Sequence, residues 1–80
     1  MIINVVALKS NKDHSWIIEK VYDLRDFVNN LNKGRIEQYR MGKPYQVLRV
    51  ENYTDTKTAE DRLKFLNSDK GIKYLNQACK

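Results

Sequence analysis

The sequence predicts an α+β domain of the order β-β-α-(α)-β-α-α, in which helices flank a three-stranded antiparallel sheet. Three observations carry that reading: two β-branched runs joined by a turn-forming stretch, a switch to helical spacing at Asp23, and an extended run that resumes at Pro44. At 80 residues, 41% of them apolar, the chain suffices for a single domain with one core of modest stability.

The first run, IINVVAL (2–8), has the continuous apolar character of a strand buried on both faces, and the polar stretch from Lys9 to Ser15 closes it. SNKDHS is turn-forming and leads into SWIIEKV, so the two runs are expected to form an antiparallel hairpin. From Asp23 onward Leu24, Phe27, Val28 and Leu31 fall at i, i+3, i+4 and i+7, one apolar face of a helix. Asp23 stands at the positive N-terminal end of that helix, and Gly34 stops it. A shorter helical segment, Ile36 to Met41, ends at Gly42, and Pro44 starts PYQVLRVENY, the third strand. Thr54 or Asp55 caps the next helix, in which Ala59, Leu63 and Leu66 share a face with help from Phe65. Ser68 caps the last helix, where Ile72, Leu75 and Ala78 or Cys79 point inward. Gly34, Gly42 and Gly71 are isolated and read as punctuation, so no Gly-rich phosphate loop is present.

The net charge of +5 is unevenly spread. Residues 1–32 balance four basic against four acidic side chains and residues 50–80 carry six against five, whereas residues 33–49 hold five cations against Glu37 alone. A concentrated basic segment suits phosphate contacts, and it also keeps a small domain soluble. Trp16, Tyr22, Tyr39, Tyr45 and Tyr53 are interleaved with Lys20, Arg25, Arg40, Lys43 and Arg49, a mixture able to stack bases and neutralise phosphates. The same aromatics can equally cap the core with a wet polar edge.

Other chemistries find little support. His14 is the lone histidine and sits in the hairpin turn, and Cys79 is the lone cysteine, which rules out an internal disulfide and reads as a small apolar residue in the last helical turn. Neither a metal centre nor a cofactor is expected. Glu60 and Asp61 are neighbours on a helix and point about 100° apart, so they form no paired site. Glu19, between Ile18 and Lys20, reads as a solvated strand residue. No apolar run nears the roughly 18 residues of a bilayer-crossing helix, and MIINVV lacks the features of a secretory signal, so a soluble cytoplasmic protein is expected. Abundant Asn, Lys, Ile and Tyr hint at an AT-rich coding genome, bacterial or viral.

The order of NVVALKS, SWIIEKVYDLRDFVNNLNKGR, QYRMGKPYQVLRVENY and TAEDRLKFLNSDKGIKYL resembles the GIY-YIG nuclease family, in particular its small stand-alone members and the incision domain of the bacterial excision-repair nuclease. Those members typically read YVYVLKS, FYIGYTNDLERRLKEHNSGK, a basic loop ending in RPW, a strand, and a helix like EALKREKYLKS. The resemblance spans almost the whole chain. Carried over residue by residue, the tyrosine of the first motif falls on Val6, and the tyrosine and glycine of the second fall on Ile17 and Glu19. The arginine that would stabilise the transition-state phosphate falls on Phe27, and the glutamate that would bind the metal falls on Leu63. Asp23, Leu24, Asn32, Gly34 and Pro44 keep the framework, with Tyr45 where the family often has tryptophan.

Losing the arginine and the metal ligand implies loss of cleavage by the family mechanism, each being worth orders of magnitude in rate. The resemblance therefore implies a catalytically inactive nucleic-acid-binding protein, contacting DNA or RNA through Arg25, Lys33, Arg35, Arg40, Lys43, Arg49 and Arg62 and able to mask nucleic acid from other enzymes. An alternative is a protein-interaction module or inhibitor in which the emptied cleft of Val6, Ile17, Phe27 and Leu63, or the basic face, docks a protein partner, as a phage protein restraining a host factor would. A third reading keeps residual metal-dependent cleavage through Glu60, one turn before Leu63.

Overall fold

The structure is a computed structural model that describes residues 2–78; Cys79, expected in the last helical turn, lies outside the described residues. Two strands, β1 (Ile3–Ser10) and β2 (Trp16–Val21), precede the helix α1 (Leu24–Asn32) and a 3-10 helix (Glu37–Gly42). The strand β3 (Tyr45–Tyr53) and the helices α2 (Thr56–Leu66) and α3 (Asp69–Ala78) complete the α+β arrangement anticipated from the sequence. The spatial strand order is β2-β1-β3, both pairings being antiparallel.

The central position of β1 follows from its composition. Strand alternation turns Ile3, Val5 and Ala7 to one face and Val6 and Leu8 to the other, and all five are buried. The sheet thus separates two apolar clusters. Ile3, Val5, Ala7 and Ile18 meet Ala59, Leu66 and Leu75 of α2 and α3. Val6, Leu8, Ile17 and Val21 meet Leu31 of α1 and Tyr45, with Leu24, Phe27, Val28 and Val47 packed around them. Between Ala7 and Leu8 the register to β3 shifts, Ala7 opposing Arg49 and Leu8 opposing Val47, which makes Leu48 the extra residue of a β-bulge.

Local polar chemistry holds the turns. The buried Ser10 hydroxyl donates to the Gly42 carbonyl and accepts from the amides of Lys12 and Asp13, both at 3.1 Å. Asp13 accepts from the Ser15 amide and hydroxyl at 2.9 and 2.7 Å, bonds that hold its carboxyl below the usual range. His14 takes the left-handed conformation (φ 63°) that the hairpin turn requires. The Asp23 carboxylate accepts from the Asp26 amide at 3.0 Å to cap α1, and Asp55 accepts from the Thr58 amide at 2.8 Å to cap α2.

Several details depart from the sequence reading. β1 runs on to Ser10 instead of ending at Leu8, because Lys9 and Ser10 still pair with both neighbouring strands or with β3. The short helical segment is a 3-10 helix shifted to Glu37–Gly42. Ala78 is exposed, since α3 turns Gly71 and Leu75 to the core.

Gly71 does more than punctuate. It lies in the first turns of α3 where that helix crosses the end of α2, and a Cβ there would stand 2.0 Å from the Phe65 carbonyl oxygen and 2.5 Å from Leu66 Cα. Both obstacles are backbone, so relief requires moving one helix. Gly71→Ala is expected to lower stability by about 2–3 kcal/mol, measured by urea unfolding. An unchanged midpoint would show that the helix crossing has slack.

Candidate nucleic-acid interface

The positions that the family resemblance assigns to nuclease chemistry are split between the two faces of the sheet. Val6 and Glu19 are cross-strand partners, and alternation along β2 puts Ile17 on the same face, beneath α1, where Phe27 packs against the cluster. Leu63 belongs to the cluster on the opposite side of the sheet, because α2 packs there. Val6 is 0% and Ile17 3% exposed, so these side chains are core and the expected docking cleft of Val6, Ile17, Phe27 and Leu63 is not an open surface. Glu19 stays half-buried. Burial, and after it the charge of Glu19, push the Tyr39 hydroxyl up. Glu60 is held by Lys20 Nζ at 3.1 Å across the α2–β2 contact.

The basic residues divide in two. Arg49 and Arg62 lie on the α2–α3 side, both bound to Glu51. Arg62 grips the carboxylate with Nε at 2.8 Å and Nη2 at 3.0 Å, Arg49 Nε approaches it at 2.6 Å, and the Tyr53 hydroxyl donates at 2.7 Å. The Tyr74 ring backs both guanidinium groups at 5.4 and 5.2 Å, and Phe65 backs Arg62 at 5.1 Å. These two cations share one carboxylate and are separated by the sheet from the others. Sequence reasoning missed this cluster. The signal that announces it is the polar alternation Arg49, Glu51, Tyr53 along one face of a strand.

Arg25, Lys33, Arg35, Arg40 and Lys43 are exposed on the α1 side and enter none of the ion pairs among the described residues. Four of them gather around Gly34. The end of α1 is closed by Lys33 N to Asn29 O at 3.1 Å, Gly34 N to Leu31 O at 3.2 Å and Arg35 N to Asn30 O at 2.9 Å, a turn that needs the left-handed φ of 77° at Gly34. Lys33 and Arg35 flank the glycine in sequence. Lys43 Nζ and Arg40 Cγ come within 3.1 and 3.2 Å of the point a Cβ on Gly34 would occupy. Cations are also favoured by the negative end of the helix dipole here. Asn32 fixes the segment that carries Lys43: its side-chain oxygen accepts from the Tyr45 amide at 2.8 Å and its amide donates to the Tyr45 carbonyl at 3.4 Å.

Most of the aromatics serve the fold. Tyr45 is buried and donates to the Tyr39 carbonyl at 3.1 Å, Tyr39 packs edge-on to it, Tyr53 bonds Glu51, and Trp16 donates to Asn76 at 3.2 Å. Tyr22, 56% exposed, is the one of the five that projects into solvent. Beside α1 an open depression of about 790 Å3 runs between that helix and β3, lined by Leu24, Arg25, Val28, Asn29, Asn32 and Val47. Among the described residues no group of three or more His, Cys, Asp or Glu is placed to hold a metal ion, and no helix is long and apolar enough to cross a membrane.

Comparison with solved structures finds a similar chain in a UPF0213 protein from Bacillus halodurans determined by solution NMR. The TM-score is 0.61 at 17% identity, with 98% of this chain and 85% of that chain covered. No family model and no curated protein sequence matches. The likeness establishes the fold: a GIY-YIG-like α+β domain with a three-stranded antiparallel sheet flanked by helices.

The Glu51 cluster makes a pH-dependent contribution. The Arg62 guanidinium above all, with the Tyr53 hydroxyl and Arg49, holds this carboxyl at about 2 against a usual 4.5, burial acting in the opposite direction. A depressed folded-state pKa stabilises fully above the unfolded value, and that stabilisation fades as pH falls from about 4.5 towards 2. Glu51→Gln is expected to lower stability at pH 7 by about 1–2 kcal/mol and to flatten the acid limb of the unfolding profile over that window. An unaltered acid limb would mean the carboxylate titrates alike in both states.

Proposed function

We propose that this protein binds nucleic acid through the basic surface around Gly34 and does not cleave it. One observation carries the reading: Lys33, Arg35, Arg40 and Lys43 are brought together from two elements and left without acidic partners among the described residues, while Arg49 and Arg62 share Glu51. Clustered, unpaired cations on a preformed surface release counterions when they meet phosphates, which gives affinity that falls steeply with salt and little dependence on base identity. Arg25, two turns earlier on α1, extends the surface. Arg49 and Arg62 leave the binding set, since freeing them would strand Glu51 half-buried.

Absence of cleavage is supported by the side chains at the positions that the family resemblance assigns to chemistry. Phe27 and Leu63 are packing residues on opposite faces of the sheet, so restoring arginine and glutamate would not bring the two together at one phosphate. Glu60 is already engaged by Lys20. A protein of this kind acts by occupancy, covering nucleic acid that other enzymes would use.

The measurement is a titration of fluorescently labelled oligonucleotides at two salt concentrations, with Mg2+ present and the products analysed on a gel. Binding that weakens steeply with salt and intact products are expected. Combining Lys33→Glu, Arg40→Glu and Lys43→Glu should abolish binding at moderate salt, and neutral alanines at the same positions should reduce the log–log salt slope by about 2–3. Equal binding by the triple alanine variant would sink the assignment of this surface.

A further inference from the structure

The basic surface adjoins an apolar feature that phosphate contacts alone leave unused. α1 covers the apolar face made by Val6, Leu8, Ile17 and Val21 and reaches β3 without closing over it: Val47, packed against the same cluster, is half-buried and Val50 is 40% exposed. The depression between α1 and β3 results. Its floor is Leu24, Val28 and Val47, and it follows the helix for about 12 Å, eight residues at the helical rise. It has a cation in its lining at one end and the basic cluster just beyond the other. Arg25 lines it near the start of α1, and Asn32 at the far end leads directly into Lys33 and the cluster around Gly34. Asn32 is clamped to the Tyr45 backbone, so that end is fixed before any ligand arrives. Asn29 stands on the rim with a side-chain amide that enters no hydrogen bond among the described residues, offering both a donor and an acceptor.

A duplex satisfies cations but keeps its base faces stacked, and so would lie across the apolar floor without filling it. A single strand exposes flat apolar faces with polar edges between successive phosphates, which matches an apolar trough bounded by cations and edged by a free amide. Resting on the binding reading above, we propose that the α1–β3 trough receives unstacked bases of a single strand whose phosphates lie on Arg25 and on the Gly34 cluster. The protein accordingly selects single-stranded over double-stranded nucleic acid.

The test is methyl and amide NMR on the intact protein, titrated with a dT 15-mer, an abasic 15-mer of equal charge and a 15-base-pair duplex. Ring-current shifts of the Leu24, Val28 and Val47 methyls are expected with dT alone, while all three ligands perturb the amides from Lys33 to Lys43. Affinity for dT should exceed that for the abasic strand and the duplex by about tenfold or more. Asn29→Ala, exposed and outside the core, should shrink that advantage while leaving abasic binding less affected, whereas Arg25→Ala, which removes a phosphate contact, should weaken dT and abasic binding alike. Perturbed cluster amides with silent methyls, or a duplex bound as tightly as dT, overturns the trough while the basic surface stands. No perturbation by any ligand at low salt overturns both.

Discussion

Everything in this molecule is arranged around the two-sided burial of β1. A strand with apolar residues at Ile3, Val5, Val6, Ala7 and Leu8 has no face to give to water, so it must be central and must be covered on both sides. One cover is α2 with α3, the other is α1 with the 3-10 helix, and β2 and β3 become the edges. With only 80 residues the covers are thin, and α1, at nine residues, touches β3 without closing over Val47 and Val50. The open trough beside β3 is the direct result.

The same division governs the electrostatics. β3 offers its alternate residues to different covers, and the side that faces α2 and α3 carries Arg49, Glu51 and Tyr53. Glu51 gathers two guanidinium groups and a hydroxyl, and Tyr74 and Phe65 supply ring faces. That cluster ties β3 to α2 through charge-assisted hydrogen bonds and to α3 through the ring of Tyr74. It also sorts the cations: those near Glu51 become structural, and those around Gly34 remain available to an external anion. Which cations stay unpaired thus depends as much on where the few carboxylates sit as on where the cations are.

The fold was largely legible beforehand. Helical spacing from Leu24 to Leu31, the continuous run Ile2 to Leu8, the capping residues Asp23 and Asp55 and the turn at SNKDHS are local signals, and local physics decides them. Gly34 was readable as a helix stop for the same reason. The Glu51 cluster was not, because Arg62 is eleven residues and a turn away from its partner and Tyr74 is on a third element. The role of Gly71 was equally hidden: nothing in its neighbours announces that α2 crosses at van der Waals contact.

Sequence by itself determined the elements, their order, the two-faced central strand and the concentration of charge between Lys33 and Arg49, since each of these depends on residues close along the chain. Tertiary structure decided which cations are free, that Phe27 and Leu63 lie on opposite sides of the sheet, and that a trough opens beside α1. Those outcomes depend on which face each helix takes and how far it reaches, quantities set by the packing of distant segments against one strand.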